Sequence, residues 1–159
     1  MLLVKEMHGG RCLNKMIKKI NQNSVEDIIK LHKKAIFPLW DKLGRKYSVE
    51  GIRDFVLEVF QKGEVFGLVD KKGLEGVIGV EIESNTLEIG FLLVNPKNQG
   101  KGYGKELMNF VENQYAKQVS KAQLDVLIKN PAVGFYERLG YKIIRINNKK
   151  QKYIMEKKL

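Results

Sequence analysis

The stretch LEIGFLLVNPKNQGKGYGKELMNFV, Leu87 to Val111, constrains this chain more than any other. An apolar, β-rich run ends near Val94, and an amphipathic helical pattern starts at Tyr103. Between them, Gly100, Gly102 and Gly104 fall within five residues. Bare backbone at a strand-to-helix joint serves a tight turn, a close backbone approach, or an anion held by free N–H groups.

The flanking sequence places this joint in a mixed fold. KMIKKI, Lys15–Ile20, reads as a short strand. Ser24 offers a helix cap with Asp27 three residues on, and Val25, Ile28, Ile29, Ala35, Ile36 and Leu39 follow at helical spacing. Pro38 is expected to disturb the end of that helix. Ser48 opens a second helix with a stripe of Ile52, Phe55, Val56, Val59 and Phe60, closed by Gly63. The period then changes. EVFGLVD, GVIGVEIE and TLEIGFLLV are β-rich runs joined by the hairpin-like KKG and SN. The helix from Tyr103 to about Lys117 leads to the apolar strand Ala122–Ile128. Asn130 and Pro131 start a short helix that Gly140 ends, and YKIIRI and KYIME follow as strands. The order is β-α-α-β-β-β-α-β-α-β-β, a mixed α/β sheet with helices on both faces.

At 159 residues the chain suits one domain, here residues 16–159, preceded by residues 1–15 as an arm or an extra strand. Apolar runs fall short of the ~18–20 residues of a membrane span, and no secretory signal is legible. A single cysteine, Cys12, excludes an internal disulfide, so the expected location is the cytoplasm. The net charge of +11 fits either a solvated lysine-rich surface or a polyanionic partner. The lysines are scattered or interleaved with apolar strand residues, which disfavours nucleic acid and leaves a phosphorylated cofactor or plain solvation.

Two familiar phosphate loops fail on spacing. A P-loop requires G-x-x-x-x-G-K-S/T, but Gly104-Lys105 is followed by Glu106 and position 99 is Gln. A dinucleotide fingerprint requires G-x-G-x-x-G, where this chain has G-x-G-x-G. QGKGYG, Gln99–Gly104, instead resembles the Q/R-x-x-G-x-G/A signature of the GNAT superfamily of acyl-CoA-dependent N-acyltransferases. Leu92, Val94 and Pro96 match the family's strand ending, and NPAVGFYERLGYK, Asn130–Lys142, is similar to its second motif. The resemblance spans roughly residues 16–158 and is specific for Thr86–Lys142.

The resemblance implies acetyl-CoA as cofactor and a mostly antiparallel sheet whose strands splay to admit it. It puts the pyrophosphate on the backbone N–H groups of Gly100, Lys101, Gly102, Tyr103, Gly104 and Lys105, with Gln99 opening the loop. It puts the pantetheine arm along Leu92, Leu93 and Val94, with Asn130, Val133 and Tyr136 as further contacts. The N–H of Leu92 would donate to the thioester carbonyl, and Gly90 would mark a bulge.

Acetyl transfer to an amine needs a deprotonated nucleophile, a donor for the developing oxyanion, and a proton for the departing thiolate. Tyr136 matches the family tyrosine beside the sulfur, and a phenol pKa of about 10 lies near that of a thiol. Without the resemblance, Val133, Tyr136 and Leu139 would read as one core stripe, and Asn130 simply as a cap. Glu88, four residues before Leu92, matches the glutamate base of some family members. Strict alternation would put it on the face of Leu92 and Val94, a parity that a bulge would shift; an exposed edge position or water as base stays open, with Glu81 and Glu83 in reserve. His32 reads as a partly buried, hydrogen-bonded core histidine, and neither His32 nor His8 has a metal-ligand partner.

The connection AIFPLWDKLGRKYS offers Phe37, Trp40 and Tyr47 as acceptor walls and Asp41 as an ammonium partner. A peptide N-terminus, a lysine side chain, a polyamine and a small amine antibiotic all remain open as acceptors. So do homodimerisation and a non-catalytic, acyl-CoA-binding regulatory role.

Overall fold

The computed structural model describes residues 2–4, by their backbone, and 15–159. Its strands are β1 (Leu2–Val4), β2 (Lys15–Ile20), β3 (Glu64–Asp70), β4 (Gly73–Glu83), β5 (Thr86–Val94), β6 (Lys121–Leu127), β7 (Lys142–Asn147) and β8 (Lys152–Lys158). Its helices are α1 (Val25–Ala35), α2 (Phe37–Lys42), α3 (Val49–Lys62), α4 (Tyr103–Tyr115) and α5 (Ala132–Arg138). The strands form one sheet in the order β1-β2-β3-β4-β5-β6-β8-β7. Every pairing is antiparallel except β5 with β6. His8 and Cys12 lie outside the described residues.

Each face of the sheet carries its own core. On one side α4 packs Leu107, Met108 and Val111 against Leu68, Ile78, Leu87 and Leu124, all buried. On the other, α1 and α3 bring Ile28, Ile29, Val56 and Val59 against Val65, Val77, Phe91 and Leu93. Period-two strands that present a buried side chain on both faces account for the almost continuously apolar β3 and β4.

Local chemistry explains the departures from the sequence reading. Ser24 makes no capping bond; the chain enters α1 through a short 3-10 turn, Gln22–Ser24, and Asn21 caps that turn instead, accepting from the Asn23 N–H at 3.0 Å. Pro38 lacks an N–H, so α1 stops at Ala35 and a separate α2 starts, with the proline in its first turn. Ser48 does cap α3, accepting from Gly51 N–H at 3.1 Å. Gly63 ends α3 for want of space: a Cβ there would sit 1.9 Å from the Val80 carbonyl oxygen. The β4–β5 hairpin turns on Ser84 and Asn85, both at positive φ (46° and 64°), the conformation a two-residue hairpin loop demands.

Candidate active site

The site is created by a fault in the sheet. The β4–β5 register shifts between Gly79 and Val80: Gly79 faces Phe91, Val80 faces Ile89, and Gly90 is the extra residue. A bulge bends its strand. The parallel β5–β6 pairing accordingly stops at Ile89↔Leu124, although β5 runs on to Val94 and β6 to Leu127. Beyond Ile89 the two strands part. Alternate backbone groups of β5 then face the gap rather than a neighbour.

The same bulge shifts the parity of Glu88 away from the face that strict alternation gives it. Leu87 and Ile89 belong to the α4-side core, but past Gly90 that side is taken by Leu92 and Val94, while Phe91 and Leu93 join the opposite core. Glu88 therefore shares a face with Phe91 and Leu93, not with Leu92 and Val94. It lines neither of the two cavities at the gap, and its Oε1 accepts from Gln123 Nε2 at 3.2 Å. Burial raises its carboxyl pKa above the usual value, with Glu83 and Asp125 adding to the effect.

On one side of the gap lies a cavity of about 520 Å³. One wall is the glycine loop and the start of α4: Gln99, Gly100, Gly102, Tyr103, Gly104 and Lys105. Leu92, Leu93 and Val94 form a second wall, and Asn130, Phe135 and Tyr136 a third. The three glycines have distinct reasons to be there. Gly100 and Gly102 hold φ of +77° and +88°, which other residues adopt only under strain. Gly104 is helical, and a Cβ on it would meet the Phe135 ring at 3.2 Å. Gly102 begins α4 without a side-chain cap, so the first-turn N–H groups are left for another acceptor. The Glu106 carboxylate in that turn is paired with Lys15 Nζ at 2.5 Å, which offsets its negative charge.

Two of the expected cofactor contacts lie elsewhere. Lys101 is off the cavity wall and its N–H donates to the Asn98 carbonyl at 3.3 Å. Val133 packs against the α4-side core. Wall residues that went unread as such include Ala35, Ile36 and Leu39, because nothing in a helical stripe marks which turn faces a gap in a sheet.

The loop is itself held in place. Glu75 on β4, 7% exposed, accepts through Oε2 from Asn95 Nδ2 at 2.9 Å and from Asn98 Nδ2 at 2.5 Å. Its carbonyl also accepts from the Asn95 N–H at 2.9 Å, and Gln99 Nε2 donates to the Val94 carbonyl at 3.2 Å. Glu75 was missed, although a carboxylate set in an apolar strand is a legible signal.

Tyr136 is buried at the meeting point of the two cavities. Asn130 Oδ1 starts its helix by accepting from Ala132 N–H at 2.9 Å. Behind it, Tyr141 donates to Glu112 Oε1 at 2.9 Å and so ties the end of α5 to α4. Burial pushes the Tyr136 phenol pKa up to about 12. This corrects the expected match with a thiol. Against a thiol near 8.5, complete proton transfer from this phenol is uphill by about 5 kcal/mol.

The second cavity, about 480 Å³, opens on the α1–α3 face and shares Ile36, Leu92, Leu93, Asn130 and Tyr136 with the first. Trp40, Tyr47, Phe55 and Phe91 line it. Phe37 does not; it stacks on Tyr47 with ring centroids 3.7 Å apart, holding that ring from behind. Asp41 is also off the wall, set against the Tyr47 hydroxyl, whose pKa it helps to raise after burial. His32 departs from the reading as a hydrogen-bonded residue. It is 8% exposed on the cavity wall, its Nδ1 is buried without a partner, and burial lowers its pKa to about 4.

A loop with open amide groups thus lies beside parted strands, a buried tyrosine and a second cavity. The family model described as an acetyltransferase (GNAT) domain matches residues 45–155. The chain belongs to the GNAT acetyltransferase family. Among curated proteins none is a significant sequence match. Solved GNAT structures share the fold. The PaiA N-acetyltransferase of Thermoplasma acidophilum, determined with coenzyme A, is 22% identical, with 91% of this chain and 99% of that one covered and a TM-score of 0.76. The ribosomal-protein-S18-alanine N-acetyltransferase of Escherichia coli is 16% identical over 91% and 93%, TM-score 0.71. Arabidopsis thaliana NAA60, solved with a bisubstrate analogue, is 19% identical over 91% and 97%, TM-score 0.69. Acetyl-CoA is the cofactor of a GNAT domain, and the glycine-loop cavity fits it: the uncapped helix start suits a diphosphate. No helix among the described residues is long and apolar enough to cross a membrane.

Proposed function

We propose that this GNAT protein transfers the acetyl group of acetyl-CoA to a primary amine by direct attack in a ternary complex. The observation that carries the reading is that the two cavities share Leu92, Asn130 and Tyr136 as walls. Acetyl-CoA supplies an activated acyl group as a thioester. The first-turn amides of α4, from Gly102 to Lys105, hold the diphosphate, and the free edge of β5 at Leu92–Val94 pairs with the amide-bearing arm. The Leu92 N–H donates to the acyl oxygen as charge develops there. Tyr136, neutral at physiological pH, donates a hydrogen bond to the departing sulfur.

The amine enters from the second cavity. One N–C bond forms as one C–S bond breaks; the amine loses a proton and the sulfur gains one, so no redox partner is required. Glu88, on the second cavity's face of the sheet with a raised pKa, takes the amine proton through water past Gly90. In this reading the cavity walled by β5 and α3 is the acceptor side, and the domain, residues 16–159, works in the cytoplasm as a single unit.

The test is release of the coenzyme A thiol in the presence of an amine panel, wild type against Tyr136→Phe. The phenylalanine variant is expected to lower kcat about 10²-fold while leaving acetyl-CoA affinity within two-fold. Equal turnover by the two proteins removes Tyr136 from the chemistry, and no thiol release with any amine removes the enzyme reading.

A further inference from the structure

The second cavity carries charge that acetyl transfer itself does not use. Its wall holds three cations, Arg45, Lys46 and Lys152, and one carboxylate, Asp125. Asp125 is already taken: Lys152 Nζ donates to its Oδ2 at 3.3 Å. Arg45 and Lys46 are exposed at the mouth, and neither side chain has an ion-pair or hydrogen-bond partner among the described residues. The turn that carries them is nonetheless fixed, since the Arg45 N–H donates to the Trp40 carbonyl at 2.9 Å and Gly44 takes a φ of +63°. Neighbouring carboxylates do not neutralise the mouth. Asp41 lies against Tyr47, Glu50 accepts from the Ser48 hydroxyl at 3.3 Å, and neither lines the cavity. The cavity thus runs from a cationic mouth, between aromatic walls, to the parting of the strands at Tyr136.

A polycationic acceptor meets two uncompensated positive charges on this path and no free carboxylate. An amine that carries a carboxylate meets the reverse: its ammonium end travels inward and its carboxylate stays at the mouth, where a guanidinium offers a two-pronged fit. The volume, about 480 Å³, equals roughly 16 water molecules and suits an amino acid or a short peptide end.

We propose that the acceptor is a primary amine bearing a carboxylate, an amino acid or the N-terminal end of an acidic peptide, with the carboxylate held by Arg45 and Lys46 and the amine at Leu92 and Tyr136. The proposal rests on the acetyltransferase reading and narrows its substrate class.

The test compares matched acceptors at saturating acetyl-CoA: free aspartate and glutamate, Asp- and Glu-initiated tripeptides, the same molecules with every carboxylate converted to carboxamide, and spermidine. Carboxylate-bearing amines are expected to exceed their carboxamides at least 10-fold in kcat/KM, with the free amino acids and the peptides telling the two sources apart. The double variant Arg45→Glu, Lys46→Glu is expected to erase that preference while acetyl-CoA KM stays within two-fold; Arg45→Ala alone is expected to lose part of it. Preference for spermidine, equal rates for acid and amide, or a preference untouched by the double variant overturns the proposal and leaves acetyl transfer standing. If no acceptor is acetylated, the transferase reading fails, and calorimetric titration of the acidic tripeptides onto the protein–coenzyme A complex still decides the inference. Binding weakened at least 10-fold by the double variant sustains it, and binding that is absent or unaffected overturns it.

Discussion

A single buried imidazole carries the most direct consequence at the scale of one residue. His32 lies between the edges of Phe37 and Trp40, with ring centroids 5.8 and 5.3 Å away, and without a partner for Nδ1. Folding therefore opposes its protonation. Its pKa falls from 6.5 to about 4, so the unfolded chain binds a proton between those values and the folded chain does not. The stability His32 allows at neutral pH is lost as pH drops through that window, by about 3 kcal/mol in all. Glu88 works in the other direction, because its folded pKa is raised: its share of stability is present at low pH and lost as pH rises. Urea unfolding of wild type and His32→Leu at pH 7 and pH 4.5 separates them, since only the histidine differs between the proteins. The leucine variant is expected to lose less stability on acidification, by about 2 kcal/mol. Parallel losses in the two proteins place the ring in contact with water. The sequence marked His32 as partly buried, at helical spacing with Val25 and Ile28, but carried no sign that its Nδ1 lacks a partner.

At the scale of elements, the sequence was legible wherever one local pattern decides the outcome. β-rich apolar runs parted by short turns marked β3, β4 and β5, and the spacing of glycines marked the turn into α4. Where two elements must agree, it gave the place of a feature but not its outcome: Gly90 marked a bulge, but not which face each side chain then takes. Beside the bulge, Gly79 leaves room for the ring of its partner Phe91; a Cβ there would lie 2.6 Å from it. That pairing reverses which face Glu88 occupies, and no single-strand alternation contains it. Pro38 belongs to the same class: its effect on α1 was readable, but the new helix it starts was not. Glu75 shows the consequence for the cofactor loop. One buried carboxylate gathers Asn95 and Asn98, and Asn98 in turn anchors Lys101 through a 3.3 Å contact from Nζ to Oδ1. Glu75→Ala strands two amide donors and frees the loop ahead of α4. The expected result is an acetyl-CoA KM at least five-fold higher with kcat within two-fold, and a stability loss of about 1–3 kcal/mol. Glu75→Gln, which keeps one carbonyl acceptor, is expected to fall between. A change in kcat with KM intact assigns Glu75 a part in the chemistry and removes it as a positioning residue.

For the molecule as a whole, the question is whether its net charge of +11 or its backbone holds the cofactor. The lysines at the loop, Lys101 and Lys105, are exposed, whereas the α4 amides are fixed donors at a helix end. Exposed charges are screened over about 10 Å at 0.1 M salt, but hydrogen bonds from oriented amides are much less so. Gly102 at φ +88° has no tolerance for a branched side chain, so Gly102→Val forces the loop out of its cradle at a cost of about 1–2 kcal/mol in stability. Binding also couples the two halves of the domain, because Ile36 and Leu39 beyond α1 line the same cavity as Gly104 and Phe135. Ligand at 100 times its Kd adds about 2.7 kcal/mol, or roughly 5–10 °C in melting temperature for a domain of this size. Differential scanning calorimetry with acetyl-CoA at 0.05 and 0.5 M sodium chloride is expected to retain most of that shift at high salt. Lys101→Ala with Lys105→Ala is expected to weaken Kd only a few-fold at low salt, and Gly102→Val more than 10-fold at both. A shift abolished by salt, or a valine variant that binds like wild type, would transfer the binding energy from the amides of α4 to the charged surface around them.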